Sequence, residues 1–186
     1  MDNFDLTNHF LIAMPTMADP NFSKTVTYIC VHNEEGALGL VINKPTSASL
    51  SEVFDQMEID YPDASAGSHQ VFDGGPVHQD RGFILHRPPG EWVSSIEVGP
   101  QIALSTSRDI LEAIGQGQGP NDSLVALGYA GWGAGQLEFE MSENAWLSGP
   151  AREDIIFESA PADRWRLAAA AMGIDLDALS GDIGHA

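Results

Sequence analysis

Basic residues are scarce. Eight Lys and Arg stand against 27 Asp and Glu in 186 residues, a formal net charge of −19. A field of that sign repels polyanions, and nucleic-acid binding depends on a basic footprint that displaces counterions. The densest basic stretch is Arg164 with Arg166, so the charge argues against direct binding to DNA or RNA. Cysteine is scarcer still. Cys30 is alone, which excludes an intrachain disulfide and fits a reducing cytoplasm. Long apolar runs are missing as well. "FLIAM" (Phe10–Met14) is too short to cross a bilayer and is closed by Pro15. Asp2 and Asp5 stand where a secretory leader carries positive charge. The expectation is a cytoplasmic protein with no membrane association.

Hydrophobic residues make up 43% of the chain, enough for a core at this length. No internal repeat or long linker divides it, so residues 1–186 are expected to form a single domain with a short flexible N-terminus and a frayed C-terminal tail. "HFLIAM" (His9–Met14), "TVTYICVH" (Thr25–His32) and "ALGLVIN" (Ala37–Asn43) read as strands. The last two form a hairpin about "NEEG". Ser49 with Glu52 has capping-box spacing, and Leu50, Val53, Phe54 and Met57 form one helical stripe. Residues 58–69 read as a loop. Strands are expected at "QVFDGGPV", "RGFILHR", "EWVSSIEV", "QIALST", "SLVALGY" and "DIIFES". A helix capped by Ser107 and a last helix begun by Pro161 and stopped by Gly173 complete the pattern. It is α+β, with a mixed, largely antiparallel sheet and flanking helices.

Two glycine features are candidates for a site. "LGYAGWGAGQLEFE" (Leu127–Glu140) follows an apolar strand. A dinucleotide fingerprint needs three spaced glycines; Gly131 and Gly133 supply two, and Gln136 occupies the third position. No lysine is near enough for a Walker loop. Glu138, Glu140 and Glu143 would compete with a bound anion. A sharp strand-to-helix corner built on close backbone packing is the simpler reading. Tyr129 and Trp132 are left as platforms for a neutral or cationic ligand. The segment after Gly135 is expected to be helical, because Gln, Leu, Glu and Met are good helix formers. "DGGP" (Asp73–Pro76) is the second feature. Its backbone N–H groups at Gly74 and Gly75 could line one cleft together with the first stretch.

Other chemistry is thinly represented. The six histidines lack metal-ligand spacing, although His78, His86 and Asp73 could meet across a hairpin. No metal and no cofactor are expected. No nucleophile elbow occurs. Ser105 and Ser107 read as helix caps, and Cys30 reads as a buried, inert thiol.

Together, "HFLIAMPTM", "GALGLVINKP", "FDGGPV", "RGFILH", "LGYAGWGAGQLE" with "NAWL", and the closing "GHA" resemble the YqgE/AlgH family of bacterial proteins, in order and over roughly Leu6 to Ala186. The resemblance implies a mixed sheet curled into a partial barrel. It carries over no catalytic residue set, and one branch bears the label of a transcriptional regulator of alginate production. Phe139 departs from the pattern where a polar residue is expected, and a helix here would set it beside Trp146. The leading expectation is a non-enzymatic binding or regulatory protein that acts through a protein partner or small molecule. The alternative is an enzyme with a small-molecule cleft between Asp73–Pro76 and Tyr129–Gln136. The candidate residues for either surface are Asn43, Gly74, Gly75, His86, Tyr129, Trp132, Gln136, Glu138 and Asn144.

Overall fold

The computed structural model describes residues 5–179; both expected flexible ends lie partly outside that range, as do His185 and the "GHA" motif. Along the chain come β1 (His9–Ala13), β2 (Val26–Asn33), β3 (Gly36–Val41), β4 (Pro45–Ser49), α1 (Leu50–Gln56), α2 (Ala64–Gly67) and β5 (Gln70–Asp73). There follow β6 (Val77–Arg87), β7 (Ser95–Glu97), β8 (Ala103–Ser105), α3 (Arg108–Gly115) and β9 (Asp122–Gly133). The last elements are α4 (Gln136–Ser142), β10 (Trp146–Pro150), α5 (Glu153–Glu158), a single 3₁₀ turn and α6 (Arg164–Ala170). The chain is α+β: a curled, largely antiparallel sheet forms a half-barrel with helices on its flanks.

The sheet runs β10-β1-β2-β3-β9-β6-β8-β7, with β5 also on β9 and β4 on β5. The twelve-residue β9 organises it. One edge pairs with β6. The other is shared: Ala130–Gly133 pair with β3, and Val125–Leu127 pair in parallel with β5. Gly128 lies between the two halves with φ +80°. It acts as a bulge that reverses the side-chain alternation. Before it, Leu124 and Ala126 join the cluster containing Tyr28, Leu85, Ile155 and Trp165. After it, Ala130 and Trp132 join a different cluster with Leu11, Ile29 and Leu137.

Three apolar clusters follow from this topology. α5 and α6 cover one sheet face through Ile155, Ile156, Trp165 and Ala168. On the opposite face, α1 and α3 cover Ile84 and Val125, and α4 covers Trp132 and Trp146 through Leu137. Each large side chain so enclosed contributes about 1.5–3 kcal/mol.

Local signals explain several elements. The β2–β3 turn has Asn33 Oδ1 accepting from the Glu35 N–H at 2.8 Å, with Gly36 at φ +138°. In α1, Glu52 accepts from the Ser49 N–H at 3.1 Å. Ser107 is the N-cap residue of α3.

Other segments depart from the sequence reading. "DIIFES" is helical, not a strand. Arg87 fixes it from a distance, donating to Glu153 at 3.2 Å, Glu158 at 2.9 Å and Asp122 of β9 at 2.8 Å. Ser105 belongs to β8 and caps nothing. The strand before the glycine stretch continues to Gly133, so the corner falls at Ala134–Gly135. β4, α2 and β10 were not foreseen.

Candidate functional site

The two glycine features do meet, backbone against backbone. Gly74 donates to the Leu127 carbonyl at 2.9 Å, and the Val41 N–H donates to Gly74 O at 2.9 Å. A Cβ on Gly74 would lie 2.4 Å from Gly128 O, and one on Gly128 would lie 2.4 Å from Gly75 O. A Cβ on Gly75 would lie 2.2 Å from the Tyr129 carbonyl carbon and oxygen. The space between Asp73–Pro76 and the start of the glycine stretch is therefore filled by main chain. Asp73 Oδ1 accepts from the Gly75 N–H at 3.2 Å, which closes the turn on itself.

Past Gly135 the segment is helical, as its residue types predict, and α4 is tied down by one carboxylate. Glu140 Oε1 accepts from the indoles of Trp132 and Trp146, each at 3.0 Å. Its Oε2 accepts from Gln136 at 2.9 Å, and Gln136 Oε1 accepts from the Gly133 N–H. The Trp132 ring is thus anchored in the core, although the residue also lines, with Tyr129, a shallow concavity. Glu140→Ala leaves two indole donors without an acceptor. We expect it to cost about 2–4 kcal/mol and to shift tryptophan emission in the folded state. Glu140→Gln, which keeps an acceptor oxygen, should recover most of this. Equal urea midpoints for wild type and Glu140→Ala would show that the clamp carries no stability. Phe139 stands 63% exposed, and the ring neighbours of Trp146 are Phe22 and Trp132.

The remaining candidates are separated in the fold. Asn43 accepts from the Val26 N–H and donates to Lys24 O, both at 2.9 Å, bracing the start of β2. Glu138 accepts from His32 Nε2 at 3.1 Å. The Leu6 N–H donates to His32 Nδ1 at 2.9 Å, so the ring proton sits on Nε2. Asn144 is exposed, at φ +59° just beyond α4. Tyr129 is half-buried against Phe83 and His78. It lines a shallow concavity of about 480 Å³ whose carboxylate is Glu35. His78 and His86 lie on the same strand, β6, so they do not face each other across a hairpin. Among the described residues no cluster of His, Cys, Asp or Glu is arranged to hold a metal. The Cys30 thiol is enclosed, and burial pushes its pKa well up.

His86 is wholly buried. Its Nδ1 donates to the Pro88 carbonyl at 3.0 Å, which leaves Nε2 to accept from Ser105 at 2.7 Å. A Ser–His hydrogen bond can activate a nucleophile when substrate can reach it. Here both side chains are at 0% exposure, and the pair braces β6 against β8. Sequence reasoning missed Ser105, because nothing local marks a partner that only strand pairing brings near. Burial holds the imidazole below its usual 6.5, opposed by the Pro88 hydrogen bond. A histidine with a depressed folded pKa contributes stability above the unfolded value and loses it as pH falls. The loss should therefore begin below about pH 6.5. Urea midpoints for wild type and His86→Gln, compared at pH 7.5 and 5.0, should differ in slope by up to one proton, about 1.4 kcal/mol per pH unit. Parallel slopes would exclude His86 as the source.

A deeper concavity, of about 640 Å³, opens where α1 and α3 leave the β6–β9 face uncovered. Ile84, Val125 and Leu127 form its floor, with Val53, Met57 and Leu111 on the helix side. The rim carries Gln79, Asp80, Arg81 and Arg108. Val77 pairs with Tyr129 and Gly82 with Leu127. The four residues between them therefore stand opposite Gly128 alone, and all four are exposed. Gly82 shares the floor-facing side with Ile84, and a Cβ there would meet nothing within 4 Å. None of the nine candidate site residues named from the sequence lines this cleft. Its two arginines, Arg81 and Arg108, lie far apart in the chain, and no short motif joins them.

Comparison with known proteins agrees with the architecture. A UPF0301 protein of Thioalkalivibrio sulfidiphilus is 57% identical, across 98% of this chain and 97% of its own. Another, from Methylococcus capsulatus, is 54% identical over 97% and 96%. The solution structure of the AlgH protein from Pseudomonas aeruginosa superposes with a TM-score of 0.80 at 50% identity, covering 97% of this chain and 95% of that one. A crystal structure from Corynebacterium diphtheriae shares the fold, with a TM-score of 0.72 at 18% identity over 97% and 94%. Among the described residues no helix is long and apolar enough to cross a membrane. An AlgH-like family model matches residues 10–177, and the chain belongs to that family.

Proposed function

We propose that this chain is a non-enzymatic binding protein of the cytoplasm, exerting any regulatory effect through a small molecule or protein partner rather than through nucleic acid. One observation carries the reading. The polar groups most suited to acid–base chemistry are engaged in separate structural hydrogen bonds: His86 with Ser105 inside the sheet, and Glu138 with His32 at the edge of α4. A formed cleft stands apart from both, floored by aliphatic side chains and rimmed by polar ones, which is the general character of a ligand site. The charge of −19 opposes contact with DNA, so the regulator label of one family branch is read here as indirect.

The test has two arms. Purified protein mixed with duplex DNA at low salt should give no mobility shift, and a salt-sensitive shift would overturn the indirect reading. Incubation with a cytoplasmic metabolite extract should leave the metabolite profile unchanged. Turnover that disappears in Ser105→Ala would instead make the buried Ser–His pair catalytic and overturn the non-enzymatic reading.

A further inference from the structure

We propose that the cleft between α1, α3 and β6 binds a small amphipathic oxyanion, a carboxylate or phosphate monoester head on an apolar body. The inference rests on the reading of the chain as a binding protein and specifies its ligand. The floor is aliphatic, through Ile84, Val125 and Leu127. Its opening beside Gly82 is unfilled. Two of only eight basic side chains in the chain, Arg81 and Arg108, stand on this one rim.

Neither arginine has a strong partner. Arg81 makes no hydrogen bond or ion pair among the described residues. Arg108 donates to the Glu58 carbonyl at 3.3 Å and approaches Glu112 at 3.6 Å, with the two side chains 48% and 55% exposed. A pair so exposed contributes under about 1 kcal/mol and yields to an incoming oxyanion. Asp80 shares the rim and contributes the one carboxylate among its lining residues. Guanidinium groups bind carboxylate and phosphate oxygens through paired N–H donors, whereas a neutral alcohol offers no such match. The surrounding negative field then favours a single compact anion held at this rim over an extended polyanion.

Isothermal titration with decanoate, decyl phosphate and decan-1-ol provides the test. Wild-type protein should bind at least one of the two anions, and the decanoate and decyl phosphate arms distinguish the head groups. Arg81→Gln with Arg108→Gln should weaken that binding tenfold or more. Gly82→Phe should abolish it while thermal unfolding stays near wild type, because the added ring enters open space. Decan-1-ol binding as tightly as the anions would overturn the role of the arginines. Anion binding unchanged in Gly82→Phe would place the ligand elsewhere and overturn the site. Failure of both anions to bind would overturn the ligand class. Native mass spectrometry of the protein as purified separates that failure from failure of the binding reading. A bound molecule lost in Gly82→Phe would keep the cleft as a binding site and reject only the ligand class. Loss of both signals would overturn both.

Discussion

Replacing Gly75 with alanine is expected to destabilise the fold by about 4 kcal/mol or more, unfolding much of the protein at physiological temperature. Two effects add. Gly75 has φ +152°, a conformation that L side chains rarely adopt. An alanine Cβ would also lie 2.2 Å from main-chain atoms of Tyr129. Those atoms belong to β9, where Tyr129 pairs with Val77 of β6 and the next residue, Ala130, pairs with Gly39 of β3, so they cannot step aside without disturbing both pairings. Gly82→Ala is the matched control, since its Cβ meets nothing within 4 Å; its cost should stay within about 0.5 kcal/mol. Urea denaturation of the two variants beside wild type decides the matter. Similar midpoints for Gly75→Ala and Gly82→Ala would refute the close crossing.

Arg164 is the second position of large effect. It is 5% exposed at the start of α6 and has no carboxylate partner among the described residues. Its guanidinium donates to the Ile42 carbonyl and, at 3.1 Å, to the Ser159 carbonyl. It also lies 5.3 Å from the centroid of the Phe72 ring. Burial lowers its pKa to about 10, so the charge persists at neutral pH. One side chain thereby joins α6, the end of α5, the segment after β3 and strand β5. Arg164→Met should cost about 2–4 kcal/mol, through two carbonyls left without a donor and a lost cation–π contact. Arg164→Lys should recover only part, because an ammonium cannot span both carbonyls in a planar fork. Chemical denaturation at pH 7 measures both. A methionine variant as stable as wild type would mean that desolvation of the guanidinium cancels its hydrogen bonds.

What the sequence made legible was mostly local. The β2–β3 hairpin announced itself through alternation and a turn, and α1 and α3 through caps and apolar stripes. The family motifs fixed the architecture more firmly than periodicity alone. Failures fell where a distant partner decides. "DIIFES" carries an apolar run too short to separate strand from helix, and its helix is oriented by Arg87 at the far end of β6. The glycine stretch does turn from strand to helix and does pack backbone against backbone, as its glycines imply, but their spacing did not name Gly36 and Gly75 as the partners that need its backbone close. The anchoring of the Trp132 indole was not legible, because its acceptor, Glu140, sits on the next helix. Ser105 was assigned to a cap because its partner, His86, is a strand away. The cleft left no trace in the sequence. It is defined by what α1 and α3 fail to cover, and its two arginines acquire meaning only when β6 and α3 lie side by side.

The divided edge of β9 also sets an order of events during synthesis. Before β9 emerges from a ribosome, the chain holds three pieces, β1–β2–β3, β4–β5 and β6–β8–β7, that share no strand pairing with one another. β9 alone borders all three, and β1 gains its outer neighbour only with β10. Closure is therefore late and dominated by contacts distant in sequence, the circumstance in which nascent sheets stay exposed longest. A nascent chain stalled before Asp122 should hold its apolar strands open to holding chaperones, whereas one extended beyond Pro150 should release them together.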